Sequence, residues 1–277
     1  MMPLGAVSHC AGRPRSCVVL LVAALGCVLV LASAGCGRSS GTVPPAGSPF
    51  ALMQMNLCLS GLAGCYGKAA YPAVVEEAVA RIRDADPDAV TVNEACHRDV
   101  VRIARRTGYH LRFSRVIYGG ERLRCVRPGG RGLFGVAVLT AAAVEGADSR
   151  HFEAQAGLER RGWLCVTTRD EIDVCTAHLN TRSTVEVAGN DGQCVELAAL
   201  LARRASARTV AFGGDVNRRR SCAPDGLWTR TDTSAGQAPG LQHVYGSDTL
   251  RTPSAEVVTA AHSDHDVLLV RARLTAR

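Results

Sequence analysis

The sequence predicts an α/β domain with mixed sheets and helices on their outer faces. Short apolar runs of strand length recur through residues 50–275, and amphipathic stretches of helical period separate some of them. Other runs follow one another across hairpin-like turns, so parallel and antiparallel pairings should mix. The 277 residues are 47% hydrophobic and 21% charged, which suits one ordinary globular domain or at most two small ones. That balance excludes a disordered tail, a collagen and a polytopic membrane protein. Aromatics make up 4%, too few for a platform that stacks single-stranded nucleic acid. A formal charge of +7 favours anionic partners weakly and also serves solubility.

Residues 1–35 read as a targeting segment. Arg13 and Arg15 precede an apolar run from Cys17 to Ala34, the pattern of a secretory signal. The run ends Ser33-Ala34-Gly35-Cys36, which resembles a bacterial lipoprotein cleavage box, although Ser33 stands where Leu is usual. In that reading Cys36 carries lipid and tethers an exported protein to a membrane; ordinary cleavage nearby and an uncleaved anchor are the alternatives. Residues 36–49, rich in Gly, Ser and Pro, read as a flexible linker, and residues 50–277 as the folded domain.

Within the domain, Met53, Met55 and Leu57 at period two mark a strand over Ala51–Leu59. Pro72 opens a helix whose Val74, Val75, Ala78, Val79 and Ile82 share one face. Asp86-Pro87-Asp88 stops it, and Ala89–Val92 is a short buried strand. A second helix is expected over Arg98–Arg106. Strands follow near His110–Ile117, Leu133–Thr140, Leu164–Thr168 and Val174–His178. A third helix is expected near Gln193–Arg204. The last strands are Thr209–Gly213, Gln242–Tyr245 and Val267–Leu274.

Cysteine usage agrees with export. Of twelve Cys, Cys10, Cys17 and Cys27 leave with the signal and Cys36 takes lipid, so an even set of eight remains. Pairing sequence neighbours gives Cys58–Cys65, Cys96–Cys125, Cys165–Cys175 and Cys194–Cys222. The third pair flanks a hairpin turn at Asp170-Glu171. No C-x-x-C pair occurs, which argues against a zinc ribbon.

Five polar groups stand just beyond apolar strands: Asn56, Glu94, His178, Asp215 with Asn217, and Asp264 with His265. Buried strands place such residues along one rim of a sheet, where layered α/β folds build their sites. Carboxylates and amides are hard oxygen donors that suit Mg²⁺, Mn²⁺ or Ca²⁺ better than zinc. Two His without a serine or thiolate nucleophile suit proton transfer around a phosphoester. Each residue alone has a plainer reading: a strand end at Asn56, a helix cap at Glu94, a satisfied buried His178, a turn at Gly213-Gly214-Asp215, a loop at Asp264-His265. Taken together these would need five coincidences. His110, His151, His243 and His262 are read as structural.

The ordered set Asn, Glu, His, Gly-Asp-x-Asn and Ser-Asp-His resembles the endonuclease/exonuclease/phosphatase superfamily over about residues 50–275. The resemblance implies a four-layer sandwich, two mixed β-sheets face to face with helices on both outer faces, and one or two divalent metals, Mg²⁺ foremost. It implies metal-binding roles for Asn56, Glu94 and Asp264. It gives Asp215 and Asn217 the orientation of attacking water and phosphate, and places His265 beside the scissile phosphate. His178 falls at the leaving oxygen, Arg161 facing the phosphate, and Asn180 as a weaker phosphate contact. The implied reaction is in-line attack of water on phosphorus. In one respect the sequence departs from the family: Gln242 stands where an Asp usually orients the catalytic His, unless Asp232 or Asp248 substitutes.

Arg122, Arg124, Arg127 and Arg131 in one loop, and Arg218, Arg219 and Arg220 in another, would make a phosphate-attracting rim if both rise beside the site. The plainer reading is a solvated surface. The function expected is a metal-dependent phosphoester hydrolase, an exported nuclease acting as a monomer with DNA as the polyanion the basic loops suit. The alternatives are a phosphodiesterase or phosphatase on a lipid or small phosphoester, and a catalytically silent binding module of the same fold.

Overall fold

The period-two pattern at Met53 and Met55 forms strand β1 (Pro49–Asn56) in the computed structural model, which describes residues 44–233 and 237–275. The expected signal peptide, Cys36 and the linker up to residue 43 lie outside these residues. Along β1 the alternate side chains Phe50 and Leu52 face the opposite way from Met53 and Met55, so the strand is buried on both sides.

Helix α1 (Ala73–Ala85) buries the five residues its period selects, Val74, Val75, Ala78, Val79 and Ile82, and stops where Asp86 turns left-handed at φ 42°. Next come β2 (Ala89–Cys96), α2 (His97–Thr107), β3 (His110–Arg115), β4 (Ile117–Tyr118) and β5 (Glu121–Arg122). These are followed by β6 (Phe134–Thr140), β7 (Val144–His151), β8 (Glu159–Arg160), β9 (Gly162–Thr168), β10 (Ile172–Ala177) and α3 (Val187–Ala205). The chain closes with β11 (Thr209–Asp215), β12 (Leu227–Thr231), β13 (Gln242–Ser247), β14 (Leu250–Val258) and β15 (Val267–Leu274).

The strands make two six-stranded sheets, β14-β15-β1-β2-β6-β3 and β12-β13-β11-β10-β9-β7, and a small third one, β5-β4-β8. The large sheets are mixed: β1 runs parallel to β2 and antiparallel to β15, while β10 runs parallel to β11 and antiparallel to β9. Three apolar clusters fill the spaces between four layers. α1 and α2 cover Met53, Val90, Val92 and Leu139 of the first sheet. Leu52, Val138, Val166, Val174, Ala211 and Val270 meet between the sheets. Leu197, Leu200 and Leu201 of α3 cover Val210, Phe212 and Tyr245 of the second. The expected four-layer sandwich is therefore the observed fold.

Strands β7, β12 and β14 carry no sequence signal, because all three are sheet edges, β7 and β14 with their side chains largely in water and β12 half-buried along its length. Helix α3 begins six residues earlier than its apolar period does. Its first turns hold Gly189 and Gly192, where an added Cβ would lie 2.7 and 2.5 Å from the Cβ atoms of Ala156 and Ala154. Tertiary packing, not helix propensity, sets that boundary. All four expected disulfides form. Cys165 and Cys175 are directly opposed across β9 and β10, on either side of a turn where Glu171 takes φ 59°.

Candidate active site

Parallel pairing brings the ends of β1 and β2 to one rim, with Asn56 in register with Asn93. The pairing of β2 with β6 is interrupted between Val92 and Ala95, and there Glu94 takes a left-handed conformation, φ 51°. Such a bulge re-aims one side chain, at a backbone cost of about 1–3 kcal/mol for a residue other than Gly. The Leu57 and Leu59 amides donate to Asn93 O and Glu94 O and fix the distortion. Glu94 is not a helix cap, since α2 starts three residues later without a side-chain cap.

Gly213 and Gly214 lie within β11 and are not a turn. A Cβ on Gly213 would meet Thr91 Oγ1 at 2.2 Å, and one on Gly214 would meet Ala177 O at 2.4 Å. These close approaches deliver Asp215, which ends β11 in the second sheet, to the same rim as Asn56 and Glu94.

There the side chains converge. Asn56 Nδ2 donates to Glu94 Oε1 at 3.1 Å and to Asp215 Oδ2 at 3.0 Å. Asp215 Oδ2 lies 3.5 Å from His265 Nε2 and 3.8 Å from His178 Nε2. Asp215 Oδ1 accepts the Asn217 amide at 2.9 Å, and Asn217 Nδ2 donates to Leu179 O and to His178 Nε2 at 3.0 Å. Glu94, His178, Asp215, Asn217 and His265 line the floor of one cavity of about 530 Å³. Asn217, like Glu94, holds a left-handed backbone, φ 52°.

Burial dominates the electrostatics. It raises the Glu94 carboxyl from 4.5 to about 7 against the Asn56 hydrogen bond, with the charges of Asp215 and Asp264 adding to the rise. It holds His178 well below 6.5, helped by the charge of Arg161, so the ring is neutral at pH 7. Asn217 donating to Nε2 is consistent with that neutral form.

These residues fit a hard divalent cation. The charges of Asp215 and Asp264 both act on Glu94, and Asp264 Oδ1 is shut from solvent without a hydrogen-bond partner. A cation there would relieve the burden that raises Glu94. Asn56 turns its amide nitrogen toward the acids and its oxygen toward the Cys58 amide, so it ties the carboxylates together and in this conformation does not present the oxygen that the expected metal-binding role needs. Cys58 and Cys65 also approach Glu94 but are bonded to each other and present no thiolate.

Arg161 lines the cavity. It is buried, with Nη1 lacking a partner and Nε 3.1 Å from Glu159 Oε1. Asn180 does not join it. It is fully buried beside α3, where its amide donates to Ala156 O and its Oδ1 accepts from Gln193, so the expected phosphate contact is corrected to a structural role.

Sequence reasoning missed Asn93, whose Oδ1 accepts both the Asp215 amide at 2.6 Å and Gln54 Nε2 at 2.9 Å. A polar residue inside a buried strand was its only signal. It also missed Ser263, whose hydroxyl donates to Asn56 O at 2.7 Å and ties the Asp264–His265 turn to β1. Gln242 lies opposite Asp215 in the β11–β13 register, donates to Asp266 O and Asp232 Oδ2, and accepts from Gln54. Asp232 spends its carboxylate on Gln242 and Gly240, and Asp248 follows the far end of β13. Neither replaces the missing Asp, and His265 Nδ1 is buried without a partner.

The basic rim is thinner than the sequence suggests. Arg131 is a buried strut, bound to Asp99 at 2.8 Å and to Leu59 O, and Arg218 is paired with Asp191 at 2.8 Å. Arg122, Arg124, Arg127, Arg219 and Arg220 are exposed. His243 is buried between Tyr245 Oη and Gly240 O, as a structural His should be.

A model of the endonuclease/exonuclease/phosphatase family matches residues 63–265. No curated protein matches the sequence. Among solved structures, the human nocturnin catalytic domain with bound sulfate anion is similar at TM-score 0.61 and 14% identity, over 82% of this chain and 94% of that one. Truncated TDP2 of Caenorhabditis elegans is similar at TM-score 0.58 and 17% identity, over 81% and 97%. D. rerio TDP2 complexed with single strand DNA product is similar at TM-score 0.54 and 14% identity, over 81% and 98%. At these identities the likeness is one of fold.

Proposed function

Because the chain belongs to the endonuclease/exonuclease/phosphatase family, typically metal-dependent hydrolases of phosphoester bonds, we propose that it is an exported nuclease that cleaves phosphodiesters by in-line attack of water. The observation that carries this reading is the meeting of Glu94, Asp215, His178 and His265 on one cavity floor. Export, anchoring through a lipidated Cys36 and a monomeric state belong to the same proposal, and the disulfides support export.

Glu94, with Asp264 and Asp215, would hold Mg²⁺, or Mn²⁺ or Ca²⁺ in its place, which supplies charge neutralisation at the phosphate. Asp215 and His265 position the attacking water, and the pair can take its proton; Asp215 is held for this by Asn56, Asn93 and Asn217. A positioned acid–base group of this kind contributes about 10²–10⁴-fold in rate. Arg161 brings an unspent buried donor to the phosphate oxygens. His178 is neutral and accepts from Asn217, so its part is to orient Asn217 and present a polar ring to the leaving side, not to act as a charged acid. The exposed arginines of both loops, and the DNA product held by a protein of similar fold, favour a nucleic acid substrate.

A silent binding module is the second reading, favoured by the orphaned His265 Nδ1. Plasmid cleavage separates the two. The nuclease nicks DNA with Mg²⁺, stops with a chelator, and loses activity in Asp215→Ala and His265→Ala. No nicking by the wild type, or activity that survives both substitutions, would sink the proposal.

A further inference from the structure

The cavity extends past the catalytic floor, and its other wall is apolar. Leu62 and Ala63 come from the loop after β1, Tyr118 from β4, Leu123 from the chain after β5 and Phe134 from the start of β6. Leu62 is 58% exposed and Tyr118 47% exposed, so two large apolar side chains stand in water at the mouth of a site.

Both stand on fixed supports. The Leu62 loop is closed by the Cys58–Cys65 disulfide, and Ser60 Oγ accepts the amides of Leu62 and Ala63. The Ser60 carbonyl accepts the Val126 amide, and Gly61 at φ 74° packs where a Cβ would lie 2.7 Å from Arg127 N. β4 is paired on both sides, with β5 and β8. The wall is therefore formed before anything binds, which lowers the cost of binding.

One polar group interrupts it. Glu159 of β8 lines the same cavity, and its Oε1 is shut from solvent and makes no hydrogen bond, only the ion pair with Arg161. The rest of that side chain is open, 20% exposed, and a hydrocarbon chain laid on the wall would cover it and give the carboxylate no partner. A flat ring with an N–H donor would cover Leu62 and Tyr118 and give Glu159 a partner.

We propose that this wall is a subsite for a nucleobase, held between Leu62 and Tyr118 with an N–H directed at Glu159, on the nucleotide whose phosphate occupies the catalytic floor. The inference rests on the phosphoester reading for the position of the phosphate and goes beyond it in the part of the substrate it recognises.

Titration calorimetry of the purified full-length protein in Mg²⁺ tests it with four ligands: adenosine 5′-monophosphate, purine riboside 5′-monophosphate, ribose 5-phosphate and octyl phosphate. Covering one ring face should make the adenosine nucleotide bind roughly ten- to fiftyfold more tightly than ribose 5-phosphate. Purine riboside 5′-monophosphate, which lacks the exocyclic amine, should keep only part of that gain. Leu62→Ser and Tyr118→Ala, at exposed positions outside the catalytic floor, should erase the gain and leave ribose 5-phosphate binding unchanged. Equal affinity with and without the base overturns the subsite. So does a gain that survives both substitutions, or an equal gain for octyl phosphate through the same two residues. Base-dependent binding by a protein that hydrolyses no phosphoester would keep the subsite and remove the hydrolase reading.

Discussion

Replacing Glu94 with Gln should stabilise the metal-free protein at pH 8 while removing its response to Mg²⁺. The carboxyl is raised from 4.5 to about 7 by burial and by neighbouring acids. For an acid raised on folding, the folded state holds its proton longer than the unfolded chain does. Stability is then whole below about pH 4.5, falls as pH rises, and reaches its floor above about pH 7. That rise corresponds to roughly 3 kcal/mol withheld at pH 8. Gln keeps the shape and can still accept from Asn56, so it removes the charge alone. For a domain of this size, roughly 3 kcal/mol is a rise of about 6–12 °C in Tm, an upper bound since burying the Gln amide nitrogen without a full set of partners takes back part of it. Scanning calorimetry in chelator at pH 8 and pH 4.5 reads it: a gap at the first pH that closes at the second. Adding Mg²⁺ should raise the wild-type Tm and leave the variant where it was, with activity lost. A variant no more stable than wild type at pH 8 would refute the electrostatic reasoning, and an equal Mg²⁺ response in both would refute Glu94 as a cation ligand.

Further outcomes follow from other contacts. Asp215→Asn should keep the fold and lower kcat by about 10²–10⁴-fold, read by plasmid nicking beside a circular dichroism melt. Burial depresses His178, so its share of stability is present above about pH 6.5 and is lost as pH falls; in urea titrations from pH 7 to 5, His178→Asn should soften the acid loss, which for one group can reach about 1.4 kcal/mol per pH unit. Gln242→Glu takes away the donor to Asp266 O and Asp232 and sets a second carboxylate there. It should cost about 2–4 kcal/mol in a urea melt and lower activity by loosening the turn that holds His265. Opening Cys194–Cys222 with a double Ala substitution frees a loop of 28 residues and should cost about 3–4 kcal/mol by thermal unfolding.

The period-two run at Met53 and Met55 and the helical face of Val74, Val75, Ala78, Val79 and Ile82 are legible because burial on a regular element imposes its period on the sequence. The even set of eight Cys is legible for a different reason: each bridge joins neighbours in sequence, which the chain can close locally. The polar residues at strand ends are legible as a set, since uncompensated polarity after an apolar strand is costly and calls for a reason. Edge strands β7, β12 and β14 leave no such mark, because water accepts any side chain on their open faces.

What each polar residue does was decided elsewhere. Asn180 and Arg131 read like site residues in the sequence and are spent inside the fold, while Asn93 and Ser263 read like nothing and hold Asp215 and the His265 turn. Hydrogen-bonding capacity is a property of a residue, but whether it remains free depends on which other strands pack against it. The sequence alone determined the buried core strands, the apolar faces of the helices and which polar groups end the strands. Only the packing of two sheets, with a bulge at Glu94 and two glycines at β11, decided which acids meet on one cavity floor and which wall faces them, because those distances join segments remote along the chain.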